Sequence, residues 1–518
     1  MTELKLYDGH IRNHKSLCNE LGIPSGLSRQ DREREIILKG YEKWGYELPS
    51  HIYGMFAFVI FDTEKGEYIL FRDQFGTKPL YYYETSCGNL LFGVQIRDIM
   101  RQDGFVKSLN EKMLSIYLTM TYTTGEETFF EGVMKLLPGR YMVWKSGKKE
   151  IVRYWKPTFH PDNTKTLEEW ADELHETVKV VMSEVKDEDE YVESFLSGGV
   201  DSSYVLAMSD AAACNSVGYN DERLDESRLA KETANILGRN FNRCLVEPED
   251  YFGAIKYVME NMEQPLGDAS AVAFALGCIE TAKGTKICYS GEGADEFFGG
   301  YNMYRNAERY GDNLKTFYVG NTNIMKEEEK QKILKNYDPD FLPINLVKSI
   351  YEENEHLDPL SKMSDVDIQV WLEGDIYLNV DKMSKAAGLE VRMPLTDLRI
   401  FDIASRMPSK YKVNSIDEHN KLALRMAASK VLPEEIAYRK KLGFVVPIRM
   451  WMADERYNGD VRRLFDSEIA KKFFNVEEIK AIFDEYIGGN SDNWRKVYVI
   501  YTFLLWYETY FLFTEKRK

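Results

Sequence analysis

The stretch Phe195-Leu196-Ser197-Gly198-Gly199-Val200-Asp201-Ser202-Ser203 joins an apolar run on its N-terminal side to a helix-compatible run on its C-terminal side. That order specifies a strand, a tight loop and a helix, and the paired glycines let backbone amides come close to an anion. The hydroxyls of Ser197, Ser202 and Ser203 add donors to the amides that open the helix. Pyrophosphate is an anion such a loop suits. Asp201 has no place against bare phosphate, so its carboxylate implies a bridging Mg2+, which prefers hard oxygen ligands. The Gly-Lys-Ser/Thr ending of a Walker A loop is missing, which argues against transfer of a γ-phosphate. Taken alone, the loop also reads as a Gly-Gly turn capped by serines.

A second passage from strand to loop occurs at Lys286-Ile287-Cys288-Tyr289, which runs into Ser290-Gly291-Glu292-Gly293-Ala294-Asp295-Glu296-Phe297-Phe298-Gly299-Gly300-Tyr301. In an open parallel sheet the carboxyl ends of the strands share one edge, and ligands bind there. Glu292, Asp295 and Glu296 on one short loop repel each other unless a cation or a functional need keeps them there, although acids at a helix N-terminus also serve its dipole. Two glycine-bearing acidic loops at one edge favour a Mg-nucleotide site, with Asp201 and Asp295 holding the metal.

Around these loops, strands at 191–196, 216–219, 241–246 and 286–289 alternate with helices at 203–213, 226–237 and 269–282, after a helix over 167–185. Alternation of this kind specifies a parallel α/β sheet with right-handed crossovers. Residues 301–357 read as a charged helical insertion or lid, and 365–518 as helical. Upstream, 4–155 is strand-rich, with strands expected at 52–61, 68–71, 80–83, 90–94 and 141–144 and a turn at Lys145-Ser146-Gly147. The polar stretch 158–164, bordered by Pro157 and containing Pro161, reads as a linker, which divides the chain into domains over 1–157 and 165–518.

The 518 residues leave room for two domains with sizeable cores, and 44% hydrophobic with 29% charged residues is the composition of a soluble globular protein. A formal net charge of -17 argues against nucleic acid and against an anionic membrane surface as partners. Residues 1–12 are polar, without the apolar core of a signal peptide, so a cytoplasmic location is expected. Cys18, Cys87, Cys214, Cys244, Cys278 and Cys288 form no C-x-x-C pair and are expected as reduced core residues. The aromatic run 497–513 is interrupted by Trp506, Glu508 and several tyrosines and reads as a buried or partner-facing helix, not a membrane span.

The two loops resemble the pyrophosphate loop and second signature of the asparagine synthetases and related ATP-pyrophosphatase amide ligases. Two further blocks are similar to that family: Leu389-Glu390-Val391-Arg392-Met393-Pro394 and Arg439-Lys440-Lys441-Leu442-Gly443-Phe444-Val445-Val446-Pro447. The resemblance implies an α/β chain: an N-terminal Ntn-type β-sandwich remnant, then an ATP-pyrophosphatase parallel sheet with a helical C-terminal part. It implies ATP and Mg2+, with the nucleotide at Leu196, Ser197, Gly198, Gly199, Asp201, Ser202, Ser203, Val217, Ser290 and Gly291. It also implies Glu292 as the group that aids formation of the intermediate and takes a proton from the amine, and Lys441 as the cation over the α-phosphate. By residue type alone, Lys441 is equally a solvated lysine and Glu292 a capping acid. Lys421 and Arg425, four apart on a helix face, could reach phosphate, but pairing with nearby acids is the expected reading and places them outside the site. The family's arginine after the aspartate is Lys382 here, and Glu263-Gln264-Pro265-Leu266-Gly267-Asp268-Ala269-Ser270 is similar to a version found in members whose acceptor is not free aspartate.

The blocks Gly54-Met55-Phe56-Ala57-Phe58-Val59-Ile60-Phe61-Asp62 and Arg72-Asp73-Gln74-Phe75-Gly76-Thr77-Lys78-Pro79-Leu80-Tyr81 look like the glutaminase domain of the same family. That domain's N-G-E-x-x-N block is matched by Asp8-Gly9-His10-Ile11-Arg12-Asn13, almost at Met1, so its nucleophile strands are missing from this sequence. Cys18 is internal and cannot pair its thiol with its own α-amine; Thr2 would be an N-terminal nucleophile only after methionine removal. The family's glutamine-binding Asn and Glu align with Asp8 and His10, and its S-D-x-E stretch with Arg32-Glu33-Arg34-Glu35. Either the domain has become a structural shell, which these changes favour, or the start codon lies upstream.

The expected activity is adenylation of a carboxylate, most simply the side chain of aspartate, followed by transfer of ammonia, with AMP and pyrophosphate released. The alternative is an amide ligase of the β-lactam synthetase or lasso-peptide cyclase kind, with another carboxylate and an internal or different amine. A non-catalytic nucleotide-binding scaffold is a third reading, opposed by the retained acids. The expected partners are the small-molecule carboxylate and ammonia or an amine; a separate glutaminase and a homodimer are also admitted.

Overall fold

The computed structural model describes residues 2–186, 190–414, 419–440 and 443–512. Eight strands come first: β1 (Thr2–Ile11), β2 (Gly54–Asp62), β3 (Glu67–Arg72), β4 (Tyr81–Glu84), β5 (Leu90–Gly93), β6 (Val133–Lys135), β7 (Arg140–Lys145) and β8 (Lys148–Arg153). They form a five-stranded antiparallel sheet of order β1-β2-β3-β7-β8 and a three-stranded sheet of order β5-β4-β6. Strand β2 reads as an almost unbroken apolar run because both of its faces are covered. Ala57 and Val59, with Leu70 and Met142, meet Leu80, Tyr82 and Leu136 from the smaller sheet and its approach. Phe56, Phe58, Ile60 and Phe71 turn the other way, onto Leu17, Ile36 and Ile37 of the helices His14–Leu21 and Arg29–Trp44. Sheet packs on sheet and helices pack on the outer face. At the β7–β8 turn, Ser146 and Gly147 have φ of 48° and 76°, the left-handed pair that matches strand twist in a two-residue hairpin.

The second sheet consists of β9 (Val192–Phe195), β10 (Ala213–Gly218), β11 (Asn240–Leu245), β12 (Ile287–Tyr289) and β13 (Glu390–Arg392), all parallel, in the order β11-β10-β9-β12-β13. The chain works outward from β9 to β11 on one side, then returns to place β12 and β13 on the other. The β9/β12 junction is therefore the topological switch point, where a parallel sheet opens a crevice at its carboxyl edge. The helix Leu167–Val185 begins at a capping box of Thr166 and Glu169 and buries its apolar stripe against this layer.

Some element limits differ from those expected. The helix after the first loop spans Val200–Met208, not 203–213, and Ala213 already opens β10. Strand β1, absent from the sequence-based assignment, is an edge strand paired with β2. Cys87 is exposed, so it is not a core residue.

The N-terminal layers do not hang free of the second sheet. Arg12 donates to Asp397 at 2.8 Å, Arg72 and Lys135 converge on Glu373 at 3.0 and 2.7 Å, and Arg97 meets Glu263 at 2.8 Å. The expected linker is pinned, since the amides of His160 and Asp162 donate to the carbonyls of Ser405 and Arg406. Trp494–Tyr507 is an interior helix: Tyr117 and Thr502 share a hydrogen bond of 2.6 Å, and Trp506 Nε1 donates to the Glu263 carbonyl. Among the described residues no helix is long and apolar enough to cross a membrane.

Candidate active site

The first loop leaves β9 at Phe195 and turns at Gly198, whose φ is 85°. A Cβ there would lie 2.9 Å from the Ala230 amide nitrogen, so both conformation and space require glycine. The turn is tied by its own serines: the Ser197 amide donates to Ser202 Oγ at 3.1 Å, and the Gly199 amide to Ser197 Oγ at 3.3 Å. The second loop leaves β12 and lies directly on the first. A Cβ on Gly291 would come within 2.9 Å of the Ser202 amide nitrogen and 3.0 Å of the Asp201 carbonyl carbon. The missing side chain is what lets the two loops touch.

Their acids meet on one lysine. Lys421 Nζ lies 2.6 Å from Asp201 Oδ2 and 2.8 Å from Asp295 Oδ1, with 2% of the side chain exposed. Lys421 has φ of 60°, a left-handed conformation uncommon for a residue with a side chain. Asn420 holds the backbone there, its Nδ2 donating to the carbonyls of Gly300 and Tyr301. Gly300 supplies the room, because a Cβ on it would overlap both Asp295 Oδ1 and Lys421 Cε. Next door, burial and then the neighbouring Asp295 push the Glu296 carboxyl up to about 8, and Tyr301 OH donates to it at 2.5 Å.

A cavity of about 190 Å³ opens here, walled by Leu196, Ser197, Asp201, Ser202, Val217, Ser290, Gly291, Glu292 and Asp295 together with Phe274 and Phe444. Leu196, Val217 and Phe274 give it an apolar lining suited to a flat ring, and Asp201, Glu292 and Asp295 give it acidic walls. A second chamber of about 370 Å³ shares Phe274, Glu292, Asp295 and Phe444, and adds Asp268, Ser270, Tyr301, Asn302, Trp371 and Asn379. Glu292 thus stands at the junction of the two spaces.

Nine of the nucleotide and acid positions expected from the sequence share this cavity, and three do not. Gly198 packs on Leu229, Gly199 caps the helix, and Ser203 is fully enclosed in the helix with its Oγ unpartnered. Lys441 lies outside the described residues. Of the pair expected to meet acids, Lys421 does so, from the residue before the helix Leu422–Ala428 and not from its face. Arg425 instead donates to the carbonyls of Asn420, Ala437 and Arg439, which is a structural task. Glu226 was not expected; its Oε1 accepts from the Gly443 amide at 3.0 Å and anchors the approach to Phe444.

The residues fit a hard divalent cation in one respect. Asp201 Oδ1 is buried without a hydrogen-bond partner, beside a second carboxylate on the facing loop. Among the described residues no three His, Cys, Asp or Glu side chains gather to bind a metal alone. A Mg2+ at Asp201 and Asp295 would complete its shell from phosphate and water, as this ion commonly does.

The positions aligned with a glutamine pocket are engaged internally. Asp8 pairs with Lys385, which also contacts Asp381 at 2.7 Å. His10 is buried, and enclosure followed by the charges of Arg392, Arg29 and Arg12 holds its pKa well below the ordinary histidine value. Glu33 accepts from Tyr7 OH, the Ile11 amide and Arg29 Nε.

Comparison with known proteins matches the Asparagine synthase family over residues 169–508 and the Glutamine amidotransferase domain over residues 3–155. The chain is 30% identical over 546 aligned residues to asparagine synthetase [glutamine-hydrolyzing] 1 of Bacillus subtilis (strain 168), spanning 97% of this chain and 85% of that protein. It is 27% identical over 547 residues to a putative asparagine synthetase [glutamine-hydrolyzing] of Mycobacterium tuberculosis (strain ATCC 25618 / H37Rv), spanning 97% and 84%. Among solved structures, a glutamine phosphoribosylpyrophosphate (PRPP) amidotransferase from B. subtilis complexed with ADP and GMP reaches a TM-score of 0.21 at 12% identity, over 47% of this chain and 45% of its own, and carries no weight. On the sequence matches, this chain belongs to the asparagine synthase family, a family of ligases.

Proposed function

We propose that the chain adenylates the side-chain carboxylate of aspartate with ATP and transfers ammonia to it, releasing AMP and pyrophosphate. The observation that carries this is the convergence of Asp201 and Asp295 on Lys421 at the β9/β12 crevice, beside a cavity that Glu292 joins to a second chamber. A carboxylate is a poor electrophile in water, and bonding one of its oxygens to the α-phosphorus while the bond to the bridging oxygen of pyrophosphate breaks makes the acyl carbon reactive. Two anions must approach for that step. Lys421 supplies fixed positive charge at the phosphate end, and Lys441 is the cation assigned to the α-phosphate. Mg2+, held by Asp201 and Asp295, would neutralise charge on the departing pyrophosphate. In the second step ammonia attacks the acyl carbon, AMP leaves, and Glu292 takes a proton from the nitrogen.

Free ammonia, or ammonia from a separate glutaminase, is the assigned nitrogen source, because Asp8 and His10 are committed to Lys385 and to an arginine cluster. One observation favours a different acceptor, with an internal or other amine. The acidic walls of the second chamber are Asp268, Glu292 and Asp295, and among its described lining residues no lysine or arginine faces an α-carboxylate. Incubation with ATP, ammonium and a panel of carboxylates tests both. AMP and pyrophosphate formed with aspartate alone support the first, formation with another acid the second, and ADP or no turnover contradicts adenylation.

A further inference from the structure

Outside the two chambers of the crevice, a cavity of about 110 Å³ lies between the β7–β8 hairpin, the helix Pro343–Glu353 and the start of the π-helical segment Asp367–Ile376. Arg140 and Arg153 both line it, and they are directly opposed across the two strands. Like charges facing each other across an antiparallel pair are destabilising, so something must hold them there. The protein compensates them poorly. Glu353 lies 3.5 Å from Arg153 but also 2.8 Å from Lys156, so one carboxylate serves two cations. Among the described residues Arg140 has no carboxylate at ion-pair distance; its Nη1 donates to the Pro138 carbonyl at 3.2 Å. Arg153 Nη2 donates to Gln369 Oε1, while its buried Nε has no acceptor at all. In a chain of net charge -17, this is a local excess of positive charge with an unsatisfied donor.

We infer that this cavity binds a small oxyanion, of the phosphate or dicarboxylate class, between Arg140 and Arg153. Guanidinium forks match the paired oxygens of either group, and such an anion would satisfy the orphaned Nε and relieve the repulsion between the strands. The volume admits a compact anion. Trp155 forms one wall, and Glu353, 40% exposed, marks the open side. The site has a route to the chemistry. The segment that gives Ile368, Gln369 and Val370 to this cavity gives Trp371 and Ile376 to the second chamber of the crevice. The inference stands apart from the adenylation reading.

The test is titration of the full chain with sodium phosphate and with succinate at constant ionic strength, by calorimetry and thermal melting, for wild type, Arg140→Gln and Lys421→Met. Saturable binding in wild type and Lys421→Met, weakened about tenfold or more in Arg140→Gln, is expected. Preference for phosphate identifies a free oxyanion, and preference for succinate a carboxylate-bearing metabolite. Without anion, Arg140→Gln should melt at or above wild type, since one of two facing cations is gone. A lower melting temperature for Arg140→Gln without anion, binding equal in wild type and Arg140→Gln, or binding lost only in Lys421→Met would each overturn the inference.

Discussion

Lys421 Nζ donates to Asp201 Oδ2 at 2.6 Å across 220 positions of sequence, and Asp295 completes the bridge at 2.8 Å. This contact fastens the two acidic loops and the segment 419–421 at one sheet edge. Removing the lysine leaves two mostly buried carboxylates facing each other. Lys421→Met should therefore lose about 3 kcal/mol or more of stability in urea denaturation. Added Mg2+ should raise its melting temperature more than that of wild type, because the metal replaces the missing cation. An unchanged denaturation midpoint would show that the bridge is not stabilising.

Glu292 stands between the two chambers. Glu292→Gln should lower amide formation by about a hundredfold or more while leaving the melting temperature within experimental error. Lys441→Ala should do the same through the α-phosphate. Wild-type rates in either variant reject that residue's assigned role.

Ammonium should support turnover and glutamine should not, because Asp8 is bound to Lys385 and His10 is enclosed by arginines. Steady-state rates with each nitrogen source at equal concentration decide this. Comparable rates, with glutamate released, would contradict the assigned nitrogen source.

Burial first, and then Asp295, raises the Glu296 carboxyl from its ordinary 4.5 to about 8. Between those values the folded chain keeps a proton that the unfolded chain has released, so Glu296 contributes a loss of stability as pH rises through this window. Glu296→Gln retains an acceptor for Tyr301 OH and removes the titration. Its melting temperature should match wild type near pH 4 and exceed it near pH 8; the same difference at both values would count against the raised pKa.

The crevice was legible in the sequence because its determinants are local. An apolar run ending in Gly198-Gly199 gives the first loop, and Tyr289 running into Ser290-Gly291 gives the second. Parallel alternation then places both at one edge. Helix limits were less legible: Ala211-Ala212-Ala213-Cys214 continues an apolar run, yet Ala213 already pairs with Asn240 and Glu193 as strand. Strand β1 was missed because it is an edge strand with a polar face and needs β2 to define it. The part Lys421 plays in joining the two loops is illegible in the sequence for a different reason. Its reach depends on a left-handed backbone held by Asn420 and on space vacated by Gly300, 121 residues earlier, and no local pattern encodes either. The arginine pair at 140 and 153 becomes informative only through strand register.

The most direct test of adenylation follows an oxygen atom. Aspartate labelled with heavy oxygen in its side-chain carboxylate is incubated with ATP, Mg2+ and ammonium, and the AMP is examined by mass spectrometry. Carboxylate attack on the α-phosphorus predicts that one labelled oxygen appears in AMP. Turnover of labelled aspartate that leaves AMP unlabelled, or that sends the label into orthophosphate, would contradict the account.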